Sequence, residues 1–557
     1  MTIGRTRDVD IVIVGGGLAA LRAAVTAAHS GLRVDVLVKD HLCTGSSFYP
    51  MMEMVACQSS DGTPEGDARF LREIDDTSLK MGSPAMNRLY VARIGEAVRC
   101  MPELGIEPRL TDPKPACFAR TARPTWCWSD WNAIRTRARA LLASMPNVTV
   151  RECTFAVDLI VRDGALAGVT ASGPDGLFSI ACKSVVLATG GFGDLFEHSL
   201  NTPDVSGDGQ ALALAAGAQL INMEFLQFIP GFLSPAYKTV FRETALPYAA
   251  RMRTDDGRDL LSPYLSEEAD RVACIRERAT HGPFTSRGIS KWFDIAMMEE
   301  ILQAGADRGF RLRYAPEIRE VRFTFLTDYV RWLSERRGVD IVEDDIRIAP
   351  FYHAANGGVW IDGDCQTAVK GLLACGEVTG GIHGADRQGG NSTGSCLVFG
   401  EIAAAAAVRY AQGHGLAKLP ADEARSSLEA HYGRPPNARL KPDDILPPLR
   451  RLMWFHANVV REEAPLLRAL DRVTEWRAAF DPLGEMADAR RVKAAAKTAH
   501  LLTVAEVLLR AARWRKESRG SHYRSDFPVI SGQFDKRLAL SIEGGRIAER
   551  EVPCELA

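Results

Sequence analysis

The run "VDIVIVGGGLAALRAAVTAAHSGLRVDVLVKD" over 9–40 constrains this chain more than any other stretch. An apolar strand, a glycine turn, an alanine-rich helix and a second apolar strand ending at Lys39 form the pattern of a βαβ unit in a buried parallel sheet. Gly15-x-Gly17-x-x-Ala20 falls between that strand and helix, the context in which the spacing carries meaning. The first glycine permits the tight turn and the second lets backbone N–H groups approach a pyrophosphate at the positive helix end. The small Ala20 lets helix and strand close together. The acid expected after the second strand is replaced by Lys39, with Asp40 following, so this unit alone leaves NAD and FAD both open.

The rest of the chain divides by pattern. At 557 residues it holds roughly three to four domain-sized units. "VTVRECTFAVDLIVRDGALAGVTA" (148–171) alternates as strands do, and "SVVLATGGFGDLF" (184–196) is another apolar strand ending in glycines. Residues 236–347 turn charged, aromatic and helical, which reads as an inserted domain. Strand-like "GGVWID" and "GLLACGE" then restore the nucleotide-domain character, and a long apolar helix follows Ser395. The expected division is 1–235 and 348–415 as two parts of one nucleotide-binding domain, 236–347 as the insert, and 416–557 as a mainly helical domain. The proline-rich run 434–449 reads as the linker into it.

Lys and Arg number 68 against 70 Asp and Glu, so no net field attracts nucleic acid or an anionic membrane. The twelve cysteines include no C-x-x-C, which fits reduced thiols and no metal site. The N-terminal run enters the first strand without a signal-peptide core, and no window approaches ~20 uncharged apolar residues. The expectation is a soluble, cytoplasmic protein with no nucleic-acid or membrane partner; its oligomeric state stays open.

A resemblance decides the cofactor. In order, "GSSFYP" (45–50), "ATGG" (188–191), "NTPDVSGDGQALALAAGAQLINMEFLQF" (201–228), "HAANGGVWID" (353–362), "GLLACGE" (371–377), "HGADRQGGNS" (383–392) and "RKESRGSHYRSDFP" (515–528) resemble the succinate dehydrogenase, fumarate reductase and L-aspartate oxidase flavoproteins. The resemblance implies an α/β fold: a split Rossmann-like FAD-binding domain, an inserted α+β capping domain and a C-terminal helical domain. Carried over by position, FAD contacts fall on Gly15, Gly17, Lys39, Ser46, Ser47, Asp208, Glu377, Ser392 and Thr393. Glu377 at a strand end suits ribose hydroxyls, and the N-terminus of the helix from 392 suits the flavin ring, where reduction places negative charge. The run Ser46-Ser47-Phe48 lacks the histidine that tethers FAD in the succinate dehydrogenase branch. It is nearest to the "GS-x-FY" of the aspartate oxidases, which implies non-covalent FAD.

Dehydrogenating a carboxylic acid requires a cation for the carboxylate, a base and access to flavin N5. The resemblance assigns the anchors to His353 and Arg387 and proton transfer to Arg287 in "FTSRGIS". An arginine fork offers a carboxylate two parallel charge-assisted hydrogen bonds. Departures are equally informative. Where the family writes "QFHP" this chain has Gln227-Phe228-Ile229-Pro230, so a second carboxylate anchor is gone. The family's "TE" pair appears as Arg242-Glu243, with Arg242 either a replacement cation or a solvent-facing charge. "PMMEMVAC" (50–57) replaces the usual "AQGG" beside the flavin. Losing the histidine removes a hydrogen bond to a charged group, about 1.5–3 kcal/mol. The expected substrate carries one carboxylate and a larger, less polar remainder facing Ile229 and either the cluster Trp126, Trp128 and Trp131 or, if those rings are core packing, other walls. The expected reaction is two-electron oxidation of an amino-acid-like carboxylate with O2 or another acceptor. The alternatives are fumarate-reductase-like reduction of an activated C=C, a flavoprotein subunit of a larger electron-transfer complex, and a non-catalytic flavin-binding scaffold.

Overall fold

The computed structural model describes residues 3–5, 8–48, 52–111, 114–305, 309–433 and 440–554. Tyr49 and Pro50 of "GSSFYP", Asp112, and 434–439 of the proline-rich run lie outside the described residues. The site rests on strands β1 (Ile11–Val14), β2 (Val34–Leu37), β3 (Val148–Arg151), β4 (Ser184–Leu187), β5 (Leu226–Ser234), β6 (Ile346–Ala355) and β7 (Leu372–Ala374). Its helices are α1 (Leu18–Ala28), α2 (Asn391–Gly413) and α3 (Val492–Trp514).

Five of these strands form one parallel sheet in the order β7-β4-β1-β2-β3. β1, β2 and β4 are buried along their whole length, as Val/Ile/Leu-rich runs covered on both faces require; the polar exceptions are Ser184 and Asp35, and Asp35 pairs with Arg151 at 2.7 Å. α1 packs on α2, where a side chain at Gly400 would meet the Ala19 carbonyl at 2.9 Å, and Arg22 pairs with Glu401 at 2.5 Å. By length and apolarity α2 could cross a membrane, but most of it is buried in the core.

β5 and β6 pair antiparallel at the centre of a second five-stranded sheet, flanked by Thr239–Val240 on one side and by Phe310–Tyr314 and Ala249–Arg253 on the other. The sheet thus draws its strands from both sides of the borders expected at 235 and 348. The β5–β6 register slips at two points, and at the first Gln227 faces Ala354 while Phe228 faces Tyr352, which leaves His353 as the extra residue of a β-bulge.

One expectation changes in the C-terminal region. The described part of the proline-rich run is not linker: Pro442–His456 is a helix, with Pro442 in its first turn and the Asp444 carboxylate accepting the Lys441 N–H at 2.9 Å. Proline in a first turn removes an N–H that has no intrahelical partner, and Pro447 and Pro448 lie on the exposed side. After α3 the chain ends in a hairpin, Lys536–Glu543 and Arg546–Pro553. This hairpin joins Leu220–Ile221, Gly358–Trp360 and Thr379–Gly380 in a third sheet, so the region is helical with a β finish.

Candidate active site

A cavity of about 790 Å³ opens where the carboxyl ends of the parallel strands meet the second sheet and the N-terminus of α2. One end is lined by Gly15, Gly17, Lys39, Ser46, Ser47 and Asp208, the other by Ile229, Arg242, Glu243, His353 and Arg387, with Glu377, Ser392 and Thr393 also on the wall. A crevice at the carboxyl ends of parallel strands is where open α/β sheets bind ligands.

At the first end, local geometry explains the glycines. Gly15 has φ +138°, and a Cβ there would strike the Ala188 carbonyl oxygen at 2.2 Å. Gly17 differs: its Cβ would find only Ser47 Oγ, at 3.9 Å, so the space before the first turn of α1 is open to the cavity. Ser46 Oγ and Thr189 Oγ1 are buried there with no hydrogen-bond partner among the described residues. Ala20 lies off the cavity, fully buried between helix and sheet. Lys39 and Asp208, each expected at the cofactor, also bind each other: Lys39 Nζ lies 2.8 Å from Asp208 Oδ2 and donates to Ser206 Oγ and, at 3.1 Å, to the Asp204 carbonyl. The other Asp208 oxygen is 2.9 Å from His500 Nδ1 on α3. Burial opposes the Asp208 charge, but Lys39 and His500 outweigh it and hold the carboxyl below the usual carboxylate range.

Glu377 Oε1 accepts the Ala355 N–H at 3.0 Å; burial pushes its carboxyl up to about 7, against the pull of that N–H and of Arg387. α2 begins at Gly390, φ +83°, and Thr393 Oγ1 donates to the Gly390 carbonyl at 2.9 Å and to the Ala56 carbonyl.

At the second end Arg387 is buried, and Gln227 fixes it: Nε and Nη2 both donate to Gln227 Oε1, at 3.0 and 2.6 Å, while Nη1 donates to the Gln388 carbonyl at 3.2 Å. Among the described residues it forms no ion pair. The loop carrying it leans on "RKESRGSHYRSDFP": Ser521 donates to the Ala385 carbonyl through Oγ at 2.8 Å and N at 3.1 Å. That motif is stiffened by the fully buried Arg515, bonded to Glu224 at 2.6 Å and Glu517 at 2.8 Å. The bulge in β6 sets His353 on the cavity wall, and burial, with Arg387 and Arg242 adding to it, lowers its pKa to about 3, so the imidazole is neutral.

Arg242 neither faces solvent nor stands as an unpaired cation. It lines the cavity and its guanidinium is taken by Glu53, with Nε 2.6 Å and Nη2 2.5 Å from Glu53 Oε1. Next to it Glu243 is buried and makes no ion pair among the described residues; its Oε1 lies 3.8 Å from Cys117 Sγ, which also accepts the Gly282 N–H at 3.2 Å. Lys114 completes this wall, its ammonium 4.5 and 4.4 Å from the ring centres of Phe323 and Phe325.

Arg287 does not reach the cavity. It pairs with buried Asp386 at 3.0 Å and lies over Phe118, and Phe118 is the residue that lines the wall. None of the three tryptophans lines the cavity either: Trp128 is buried core, and Trp126 donates to Ser59 Oγ at 3.2 Å. Phe118, Phe241 and Phe325 supply the aromatic wall instead. Sequence reading missed Gln227, Glu53, Lys114 and Cys117. Gln227 sits beside the altered Ile229 and was within reach; a glutamate in "PMMEMVAC" carries no sign of a partner 189 positions away.

Residues 10–393 match the family model described as FAD binding domain, and 448–540 match that of the fumarate reductase flavoprotein C-term. The chain belongs to the flavoprotein family of succinate dehydrogenase, fumarate reductase and L-aspartate oxidase. Among relatives, L-aspartate oxidase of Streptomyces coelicolor is 31% identical over 93% of this chain and 88% of its own. The fumarate reductase flavoprotein subunit of Mycobacterium tuberculosis is 27% identical over 94% of this chain and 93% of its own. Mycobacterium smegmatis Sdh1 shares the fold with a TM-score of 0.82 at 24% identity, covering 100% of this chain and 95% of that one. As a member of this family the chain is an FAD-dependent oxidoreductase. Its cavity fits that cofactor: the open approach to Gly17, the orphaned Ser46 hydroxyl and two helix N-termini supply the N–H and O–H donors that phosphates and a reduced ring demand.

Proposed function

We propose that this flavoprotein oxidises a substrate bearing one carboxylate, amino-acid-like in character, with Arg387 as the anchor. The observation that carries this reading is Arg387 itself, a buried guanidinium on the cavity wall, oriented by an amide oxygen and with no carboxylate at ion-pair distance among the described residues. A desolvated arginine without an anion is an unbalanced charge, and a substrate carboxylate balances it with charge-assisted hydrogen bonds. Neutral His353 adds a hydrogen bond without adding charge. Gly15, Gly17, Lys39, Ser46, Ser47, Asp208, Glu377, Ser392 and Thr393 would hold FAD non-covalently, and the cofactor would supply a two-electron acceptor at N5.

Glu243 is the group in the cavity best placed to take the substrate proton, because it is a carboxylate engaged by no cation at ion-pair distance among the described residues. Arg287 stands one layer behind Phe118 and acts through Asp386. Phe118, Phe241, Phe325 and Ile229 exclude water around the remainder of the substrate and favour an apolar one. O2 or another oxidant would have to accept the two electrons removed from the substrate.

The test is anaerobic bleaching of the flavin band by L-aspartate, succinate and aromatic or aliphatic L-amino acids. Bleaching by the larger monocarboxylates supports the reading, and full turnover of L-aspartate sinks it. The near-full-length similarity to a fumarate reductase flavoprotein favours a second reading, reduction of an activated C=C. Photoreduced enzyme reoxidised by fumarate faster than by O2 supports that direction.

A further inference from the structure

The cavity contains a cation that the fold itself neutralises. Arg242 lines the wall opposite the cofactor end, yet both its Nε and Nη2 are taken by one oxygen of Glu53, at 2.6 and 2.5 Å. The Glu53 side chain is 3% exposed and that of Arg242 17%, so the pair is desolvated on its own side and open only toward the cavity. Glu53 Oε2 is buried with no hydrogen-bond partner among the described residues, so Arg242 is the cation this carboxylate engages; burial pushes the carboxyl up against the pull of Arg242 and of its own backbone N–H. Burial works against the Arg242 charge, but Glu53 and Glu243 together outweigh it, and its pKa is held above the ordinary arginine value. A second substrate carboxylate docking here would place three carboxylates around one guanidinium, a like-charge arrangement that disfavours ionisation of at least one of them.

We propose that Glu53 is a specificity-determining residue: by neutralising Arg242 it keeps a second carboxylate out of the cavity. The inference rests on the reading of Arg387 as the anchor and extends it. Specificity is set here by an interaction that repels the competing substrate, not by one that attracts the preferred one. The residue comes from the apolar stretch between the Ser46-Ser47 turn and the strand Val55–Gln58, so the segment that reshapes the pocket beside the cofactor also sets its charge.

The experiment titrates propionate and succinate into the FAD holoenzyme and reads the flavin difference spectrum. In the unaltered protein propionate binds at least as tightly as succinate. In Glu53→Gln the succinate-to-propionate affinity ratio rises at least tenfold, and in Glu53→Gln combined with Arg242→Met that gain disappears. Glu53→Ala replaces Glu53→Gln if the latter does not retain flavin. A ratio that rises less than tenfold, or a gain that survives removal of Arg242, overturns the proposal. Arg387→Met separates the premise from the inference: loss of both ligands upholds the anchor, and undiminished propionate binding overturns the anchor reading itself.

Discussion

Gln227 offers a single amide oxygen to two nitrogens of Arg387, Nε at 3.0 Å and Nη2 at 2.6 Å. The two residues are 160 positions apart and meet because β5 passes beside the loop that precedes α2. The bond fixes the plane of the guanidinium and so the direction from which a carboxylate docks. Replacing Gln227 with Leu keeps the charge and removes the direction. A hydrogen bond to a charged group contributes about 1.5–3 kcal/mol, so Gln227→Leu is expected to raise KM for the carboxylate substrate about 10- to 100-fold, with a smaller change in kcat. Steady-state kinetics beside flavin content checks this; a change confined to kcat contradicts an orienting role.

The two glycines of the phosphate turn are expected to fail in different ways. At Gly15 both φ, +138°, and the Ala188 carbonyl 2.2 Å from an added Cβ penalise any side chain, so Gly15→Ala destabilises the apoprotein. At Gly17 a side chain points into open cavity, so Gly17→Leu folds and is purified without flavin. Thermal midpoints of the apoproteins, with FAD stoichiometry from absorbance, distinguish the two outcomes.

Much of this site was legible because its chemistry is local. Gly15 and Gly17 lie at a strand-to-helix turn whose backbone demands appear in the residue types, whereas Ser46, Ser47, Ser392 and Thr393 follow from the family resemblance and line the same cavity. What was not legible is long-range pairing of charge. Lys39 and Asp208 read as two cofactor contacts and are also partners, 169 positions apart; Arg242 read as an anchor or a surface charge and is a pair with Glu53. Sequence periodicity reports which face is buried and says nothing about which buried charge meets which. The same limit explains the C-terminal hairpin: Arg546–Pro553 is charged and exposed, and becomes a strand only because Lys536–Glu543 provides an edge.

Asp386 is expected to leave a signature in the pH dependence of stability. Its side chain is fully buried, and burial raises its pKa from 3.8 to about 7 against the pull of Arg287 and Thr285. Between those values the folded protein binds more protons than the unfolded chain, so stability falls as pH rises through the window, and the whole penalty is present above pH 7. The shift corresponds to on the order of 4 kcal/mol as an upper bound. Denaturant midpoints from pH 4 to 8 are expected to fall less steeply in Asp386→Asn than in the unaltered protein. Parallel curves would mean that Asp386 ionises as freely folded as unfolded.

The last prediction concerns which group takes the substrate proton. Arg287, the residue that family resemblance favours, is separated from the cavity by Phe118 and tied to Asp386 at 3.0 Å. An arginine must also lose a proton before it acts as a base, and its reference pKa exceeds ~12. Glu243 lies on the cavity wall and is a carboxylate that no cation engages at ion-pair distance among the described residues. A positioned general base contributes about 10²- to 10⁴-fold, so Glu243→Gln is expected to lower kcat by that factor with KM nearly unchanged and a larger isotope effect on the abstracted proton. Arg287→Met, acting only through the packing of Asp386 and Phe118, is expected to lower kcat less than about tenfold. An inactive Arg287→Met beside an active Glu243→Gln would return the proton to the arginine, and would require that the segment carrying it move by more than the thickness of the Phe118 ring during turnover.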